Sequence, residues 1–505
     1  MKKFFSKACT FAVVSVLAVT AHASPLFEIA GGDNGGGANA RFTAPGISSA
    51  YFNPALLPYV RRSLSFGVLV LQDSVTLTLD GRSGGDIGFE LLDSYNEDLT
   101  GFDYGTYPTD WIENGCDPAL GGECQRAVTA RPRQADGTSG VARPYVSVGL
   151  VQPIFGRYLV MGVHALIPAG GFTGGDQFFV DEREQFFSNS LHPELLGDRL
   201  SAPSIAFALA TEPTDGFTLG VGLGVRLKTS AQADTFIIDG NAQSETLQLS
   251  TGIDVSIGIA PYVAARYEFG DRAGSLSLTA HSPNRFDVEV GLLTQLADGD
   301  VQTATREATL DYMPWQIGFG GEVKMPSREG WHIALTGGVV LRRRCANLDP
   351  QGDTPSGDYA WSDTISSSLG ARFEHDGTAF GLDASYTPTP VPEQTGRTNY
   401  VDSDRYGFNG SVSREVELAG RDLRVGLNGQ LNRITQRHHT KADVDTSGAV
   451  DPSLVIDEFP DTAVDTRRQE PVDAALGLQS NNPGWPGYGS EGWLWGAGFS
   501  VEFLY

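Results

Sequence analysis

The sequence ends in Trp493-Leu494-Trp495-Gly496-Ala497-Gly498-Phe499-Ser500-Val501-Glu502-Phe503-Leu504-Tyr505, and this stretch decides the fold class. Its odd positions are aromatic or aliphatic, whereas its even positions are two leucines, two glycines, a serine and a glutamate. Because successive side chains of a β-strand point to opposite faces, this alternation predicts a strand with one apolar, aromatic face and one small or polar face. The stretches 217–228 and 423–432 repeat the pattern.

The same alternation predicts about fourteen strands along the chain. They cover residues 63–80, 143–151, 157–168, 202–211, 216–228, 252–269, 273–281, 311–323, 331–342, 361–374, 377–387, 404–416, 421–433 and 491–505. The connections after even-numbered strands are short, whereas those after most odd-numbered strands are long, as at 81–142 and 434–490. Outer-membrane barrels combine an even strand number, tight periplasmic turns and long external loops. The sequence therefore predicts an all-β fold, a transmembrane antiparallel β-barrel over residues 63–505.

Residues 1–23 have the features of a secretory signal peptide. The first seven residues include Lys2, Lys3 and Lys7, which form a basic region. The apolar run Phe11–Ala21 follows, and Ala21-His22-Ala23 matches the A-x-A cleavage pattern. The run is too short to span a bilayer as a helix. We expect export and a mature chain that begins at Ser24, which together with the barrel pattern predicts a bacterial outer-membrane location.

Composition excludes several classes of function. The formal net charge of −25 argues against a nucleic-acid binder, and no internal apolar run reaches the roughly 20 residues of a membrane helix. G-x-S-x-G, H-E-x-x-H and P-loop motifs are absent from the sequence, so we expect neither an enzyme nor a cofactor. An acidic stretch at 443–454 resembles the start of a calcium loop, but Leu454 stands where a bidentate Glu is needed. We favour a solvated turn and expect no metal. Whether Cys116 and Cys124 form a disulfide stays open.

The segment 24–62 does not fit the barrel wall. It contains five glycines between residues 31 and 37 and a compact Asn53-Pro54-Ala55 element, and it precedes the first strand. It is either a disordered periplasmic leader or a plug folded back into the lumen. Its composition is too apolar for a typical disordered tail, which favours the plug.

Two stretches resemble a known family. Gly36-Gly37-Ala38-Asn39-Ala40 with Ser48-Ser49-Ala50-Tyr51-Phe52-Asn53-Pro54-Ala55-Leu56-Leu57 resembles the N-terminal hatch of the FadL/TodX family, outer-membrane transporters of long-chain fatty acids and aromatic hydrocarbons. Tyr386-Thr387-Pro388-Thr389-Pro390-Val391-Pro392 and Asp402-Ser403-Asp404-Arg405-Tyr406 resemble the family's proline-rich external turn and the strand that follows. The two matches bracket nearly the whole mature chain, and the family's fourteen strands agree with the alternation pattern.

The resemblance implies passive transport of hydrophobic compounds, with long-chain fatty acids as the leading candidate. A hatch that includes Asn53, Pro54 and Ala55 would shift to release the substrate. The expected partners are outer-membrane lipid, lipopolysaccharide and a hydrophobic ligand, and the expected state is a monomer. A scaffold of the same fold that serves secretion, conjugation or surface assembly remains the alternative.

Candidate ligand-binding residues lie in the loop 169–201 and on one strand. The loop residues are large and apolar, and could form a groove or pack the loops together: Phe178, Phe179, Phe186, Phe187, Leu195 and Leu196. Arg226 alternates onto the polar face of its strand and could meet a substrate carboxylate by a charge-assisted hydrogen bond. An ordinary polar lumen wall explains Arg226 equally simply, and for a single residue we favour that interpretation.

Overall fold

The computed structural model describes residues 25–32, 38–79, 136–138, 142–169, 192–193, 203–237, 247–295, 301–327, 329–344, 362–393, 400–440 and 487–505. The predicted signal peptide, Cys116, Cys124 and the acidic stretch 443–454 lie outside these residues. Among the helices of the described residues, none has both the length and the apolar character needed to cross a bilayer.

Fourteen strands of the described chain form one closed antiparallel barrel. They are β1 (Ser63–Leu79), β2 (Ala142–Pro153), β3 (Val160–Pro168), β4 (Ser204–Thr214), β5 (Phe217–Ile237), β6 (Leu247–Phe269), β7 (Gly274–His281), β8 (Gln316–Lys324), β9 (His332–Arg342), β10 (Thr364–His375), β11 (Thr378–Thr387), β12 (Arg405–Leu418), β13 (Arg421–Thr440) and β14 (Gly487–Leu504). Consecutive strands pair, and β14 closes the barrel on β1 from Ser63↔Leu504 to Leu79↔Tyr488. The short strand Asp136–Thr138 extends the pairing along β1. Closure leaves no free edge, so backbone groups within a bilayer are satisfied.

The turns at one end of the barrel are short and those at the other end are long. Asp376-Gly377 and Ala419-Gly420 each join two strands directly, and all four residues have positive φ, between 44° and 75°. Two consecutive positive φ values define the type I′ turn, whose twist matches that of antiparallel strands. β1 begins and β14 ends at this short-turn end, as an even number of strands requires.

The outer face of the barrel is apolar. On β14, Trp493, Trp495 and Phe499 are 39–47% exposed, whereas the intervening Leu494 and Glu502 are 1% exposed. The alternation predicted for the C-terminal stretch is therefore confirmed, with its aromatic face outward. Exposed apolar side chains continue around the wall: Val68, Phe207, Val221, Leu278, Phe319, Leu369 and Phe408. Trp315 and Trp331, also exposed, lie near the long-loop and short-turn ends, respectively. Such a belt with aromatic rims fits lipid rather than water.

The region 282–310, which we expected to be a loop, contains a hairpin formed by Asn284–Gln295 and Val301–Met313. Likewise, β5 and β6 extend beyond the predicted 216–228 and 252–269. The added residues of β5, Thr229-Ser230-Ala231-Gln232-Ala233-Asp234, still alternate, but their apolar positions are alanines. Small side chains give a weak contrast between the two faces, so the predicted strand stops short of this extension.

The N-terminal segment lies inside the barrel. It consists of α1 (Pro25–Ala30), α2 (Ala40–Thr43), α3 (Ser49–Phe52) and a 3-10 helix over Pro54–Tyr59. Its residues contact inward-facing groups from many sides of the wall, which are Gly149, Gly162, Gly220, Tyr262, Ser277, Gly318, Gly338, Ser368, Asp383 and Gln430. A segment that touches strands from β2 to β13 can lie only in the lumen.

Candidate functional site

Glycines on the inner wall create the space for the N-terminal segment. The ring of Phe42, fully buried, faces Gly318 and Gly320 of β8 and Gly338 of β9. A Cβ atom added at any of these three positions would lie 2.8 Å or less from the ring. Ser277 of β7 donates a hydrogen bond of 2.7 Å to the carbonyl oxygen of Phe42. The alternating glycines thus form a socket that fixes α2 against the wall.

The predicted hatch residues Asn53, Pro54 and Ala55 lie at the junction of α3 and the 3-10 helix. All three are buried, and a Cβ at Gly220 of β5 would lie 2.6 Å from Pro54 and from the backbone nitrogen of Ala55. Neither polar side-chain atom of Asn53 has a hydrogen-bond partner among the described residues. A buried amide left unpaired costs about 1–3 kcal/mol, so this junction is held by its surroundings at some energetic cost.

Tyr59 ends the segment at the short-turn end of the barrel. The guanidinium of Arg266 lies 4.3 Å from the centre of the Tyr59 ring, and that of Arg157 lies 5.9 Å away. Arg266 also forms an ion pair of 2.9 Å with Glu268. Burial raises the pKa of the Tyr59 hydroxyl, with Glu268 and Glu212 adding to the effect and Arg266 opposing it. Tyr59 therefore stays neutral and acts as an aromatic surface for the two arginines.

One half of the lumen is apolar and filled by α1. Leu26 and Phe27 are fully buried, and the Phe27 ring lies 4.6 Å from the ring of Tyr51 and 4.8 Å from that of His164. The wall contributes further buried apolar side chains: Leu69, Leu71, Val75, Tyr145, Leu166, Ala206, Tyr262, Ile434 and Leu494. The Tyr262 hydroxyl donates a hydrogen bond to the carbonyl oxygen of Ala50. Displacing α1 would leave an apolar cavity lined by aromatic rings.

The other half contains a cavity with about 1230 Å³ of empty space, part of it open to solvent. Its lining is mixed. The apolar residues are Ile29, Ala38, Met313, Pro314, Val340, Pro388, Pro390 and Leu494, and the polar residues of β10–β13 and the segment before β12 are Thr364, Ser366, Ser367, Ser368, Ser385, Thr387, Asp402, Arg405, Asn409, Gln430 and Asn432. Glu28 at its edge accepts a hydrogen bond of 2.9 Å from Arg41 and lies 3.6 Å from Arg342. Burial alone would raise the pKa of Glu28, but the Arg41 and Arg342 guanidinium groups outweigh it, and the pKa lies below its usual value. Glu28 is therefore ionised and joins α1 and α2 to β9.

The side chains of the sequence-predicted ligand residues fall outside the part of the chain that the structure describes. Phe178, Phe179, Phe186, Phe187, Leu195 and Leu196 lie outside the described residues. Arg226 lies in β5 opposite Ser204 of β4, and its side chain is not among those described. Their role in binding stays a prediction. Within the described residues, no cluster of three or more His, Cys, Asp or Glu side chains is placed to hold a metal.

Sequence patterns did not reveal the polar contacts between the segment and the wall. Asn39 donates a hydrogen bond of 2.7 Å to Asp383 and accepts one of 2.7 Å from Ser368, across more than 300 residues of sequence. The Glu28–Arg342 pair spans a similar separation. The alternation pattern places Ser366, Ser368 and Arg342 on the inner face of their strands. This indicates a polar lumen, but it does not identify the residues that they contact.

Comparison with known proteins supports the fold. No protein-family profile matches the chain, and no curated protein matches it in sequence. Among solved structures, a FadL homologue from Pseudomonas aeruginosa is similar with a TM-score of 0.50 and 12% identity, over 96% of this chain and 98% of that one. The P. putida toluene transporter TodX gives a TM-score of 0.44, 10% identity and coverage of 96% and 99%. The Ralstonia pickettii toluene transporter TbuX gives 0.41, 9% and coverage of 96% and 99%.

Proposed function

We propose that this chain, which has the fold of the FadL homologue, is a member of the FadL/TodX family that carries hydrophobic compounds passively across the bacterial outer membrane. Long-chain fatty acids are the leading candidate substrates. Residues 24–62 act as the hatch, and lipopolysaccharide surrounds the long-loop end of a monomeric barrel. The alternative remains a scaffold of the same fold that serves secretion, conjugation or surface assembly.

The observation that carries this proposal is the apolar half of the lumen. Leu26 and Phe27 of α1 occupy a cluster of apolar and aromatic wall residues, in the way a hydrophobic ligand would. Burying apolar surface there contributes about 25 cal/mol per Å², so a hydrophobic compound that displaces α1 recovers the contacts that α1 gives up. The exchange requires movement of the segment, and α1 must break the ion pair between Glu28 and Arg342 of β9 when it leaves.

The polar anchors of the segment suit such movement. Net hydrogen-bond contributions are about 0.5–1.5 kcal/mol each, so the contacts of Asn39 with Asp383 and Ser368 hold the segment without fixing it permanently. The unpaired amide of Asn53 gains partners when it meets water, which lowers the cost of leaving the closed position. These contacts support a hatch at residues 53–55, where the family resemblance places it.

A reversible lock between hatch and wall tests the proposal. Asn39→Cys and Ser368→Cys replace two side chains that are hydrogen-bonded to each other, and formation of the disulfide is checked by the loss of free thiol. In a background with Cys116, Cys124 and Cys345 replaced by serine, we expect oxidised cells to lose uptake of radiolabelled oleate and to regain it on reduction. Each single cysteine variant serves as the matched control and should transport in both conditions.

Two results would contradict transport through a moving hatch. Equal uptake by locked and unlocked protein would show that the segment does not move. If cells take up no more oleate than cells that lack the protein, with the protein reduced as well as oxidised, the scaffold alternative is favoured. Radiolabelled toluene measured in parallel decides between fatty acids and aromatic hydrocarbons. A mobility shift between heated and unheated samples on a gel confirms that each barrel is assembled.

A further inference from the structure

The inner face of β12, and that of β13 from Arg424 to Asn432, is polar. Outward-facing Phe408, Leu427 and Leu431 are exposed, which fixes the opposite set of residues as inward-facing. On β12 this set is Arg405, Gly407, Asn409, Ser411, Ser413 and Glu415, and on β13 it is Arg424, Gly426, Asn428, Gln430 and Asn432. Neither set contains an apolar side chain, and the polar face of β13 ends at Ile434, which belongs to the cluster around α1. The inner faces of β1, β2 and β6 differ sharply, because they present Leu69, Leu71, Tyr145 and Tyr262 to α1 and α3.

The structure leaves space beside this polar face at both ends. At the long-loop end lies the cavity described above, part of it open to solvent, which includes Asn409, Gln430 and Asn432 in its lining. Towards the short-turn end, Asn428 is partly exposed although it points into the barrel. The Arg424 side chain there is 22% exposed and that of Glu374 is 52% exposed. The exposed fractions of these inward-facing side chains show that the structure leaves space for water beside them.

The helices of the N-terminal segment pack mainly against the opposite side of the lumen. Its α3 and 3-10 helix pack against β3 to β6, and α2 packs against β7 and β8. Towards β10–β13 the segment makes polar contacts, including a hydrogen bond of 3.4 Å from Gln430 to the carbonyl oxygen of Ala30 and the two hydrogen bonds of Asn39, and its apolar contact there is with Ile434 in the α1 cluster. Water can replace such contacts at small net cost, since it offers equivalent donors and acceptors.

We propose that the lumen beside β10–β13 is a second, hydrophilic path that conducts water and small uncharged hydroxylated solutes past the N-terminal segment. Amide and hydroxyl side chains both donate and accept hydrogen bonds, so they replace the hydration of a sugar-like solute and offer little to a hydrocarbon. The charges along the path are paired, as in Arg424 with Glu502 at 3.0 Å and with Glu415 at 2.6 Å. Paired charges give the path weak selectivity between anions and cations. This activity is separate from the proposed hydrophobic transport, which uses the apolar half.

Neighbouring positions on β13 provide a matched test. Asn428 points into the lumen, whereas Leu427 is 55% exposed on the outer face. Asn428→Cys and Leu427→Cys, in the background without Cys116, Cys124 and Cys345, differ only in the face that carries the thiol. Both are small substitutions that leave the strand pairing with Ser411 and Val412 intact. The reagent is a methanethiosulfonate with a bulky trimethylammonium group, and permeation is measured as liposome swelling in isosmotic arabinose.

We expect proteoliposomes with the unmodified protein to swell several-fold faster than protein-free liposomes. After reaction, the rate for Asn428→Cys should fall at least twofold, and the rate for Leu427→Cys should not change. Swelling no faster than that of protein-free liposomes would overturn the proposal. So would an unchanged rate for fully modified Asn428→Cys, or failure of its thiol to react from water, as judged by mass spectrometry. Uptake of oleate by the same variants reports separately on the apolar route.

Discussion

At the scale of single residues, the lumen is organised by a few side chains that join the N-terminal segment to the wall. Phe42 occupies a socket of three glycines, and Asn39 bonds to Asp383 and Ser368. Glu28 lies between Arg41 and Arg342 and is the acidic centre of a buried ion-pair group. A buried carboxylate with two cationic partners contributes most when all three charges are present, because removing it leaves two like charges together.

We predict that Glu28→Gln destabilises the protein by roughly 3 kcal/mol at neutral pH, at the lower end of the cost of breaking a buried ion pair. Glu374→Gln is the control, because Glu374 also pairs with an arginine, at 3.2 Å, but is 52% exposed. Exposed pairs contribute about 0–1 kcal/mol. Urea unfolding in lipid vesicles, followed by tryptophan fluorescence, measures both; equal effects of the two substitutions would contradict the ion-pair assignment.

The stabilisation that Glu28 provides should also depend on pH. The pKa of Glu28 in the folded protein lies below its ordinary value of 4.5. A lowered pKa means that the folded state favours the ionised form, so the stabilisation is complete above about pH 4.5 and is lost as the pH falls through the folded pKa. The stability difference between wild type and Glu28→Gln should therefore be constant near neutrality and shrink in acid.

At the scale of elements, the strands and turns could be predicted because their causes are local. Alternation identified all fourteen wall strands, since one face meets lipid and the other the lumen, although β5, β6 and β13 run five to nine residues beyond the predicted bounds. The hairpin over 284–313 was missed although Phe286, Val288 and Val290 alternate with polar residues, because its second strand, Val301–Met313, is mostly polar and gives no matching signal. Contacts such as Glu28–Arg342 could not be predicted, because they join residues far apart in sequence and depend on how the segment folds back.

The two-residue turn Ala419-Gly420 gives a prediction at this scale. Residue φ values of 53° and 75° place both positions in the left-handed region, which costs a residue with a Cβ roughly 1–2 kcal/mol. Gly420→Val should therefore destabilise the barrel by about that amount, and Ala419→Asn should stabilise it by up to about 1 kcal/mol. Gly410→Val in the neighbouring β12 is the control, because only Leu382 lies near its added Cβ, at 3.5 Å. Comparable losses at Gly410 and Gly420 would contradict the turn argument.

At the scale of the whole molecule, the barrel divides its surroundings into three environments. Its outer face is apolar, one half of its lumen is apolar and filled by the segment, and the other half has polar residues on β10–β13. The sequence predicted the first of these from alternation alone. The division of the lumen depends on where α1 and α3 pack, which a strand pattern does not encode. The proposed hydrophobic transport and the proposed hydrophilic path would therefore use different halves of one lumen.

Placement of the outer belt in a bilayer leads to the last prediction. Leu369 lies in the middle of β10 and Leu418 ends β12 at a short turn, and their side chains are 74% and 64% exposed on the outer face. An arginine on the lipid face costs about 2–4 kcal/mol near the bilayer midplane and about 0–1 kcal/mol near its surface. Leu369→Arg should thus destabilise the barrel in lipid vesicles far more than Leu418→Arg, as measured by urea unfolding. Because the two sites are similarly exposed, a difference can come only from depth in the membrane, and equal small costs would mean that water rather than lipid covers the belt.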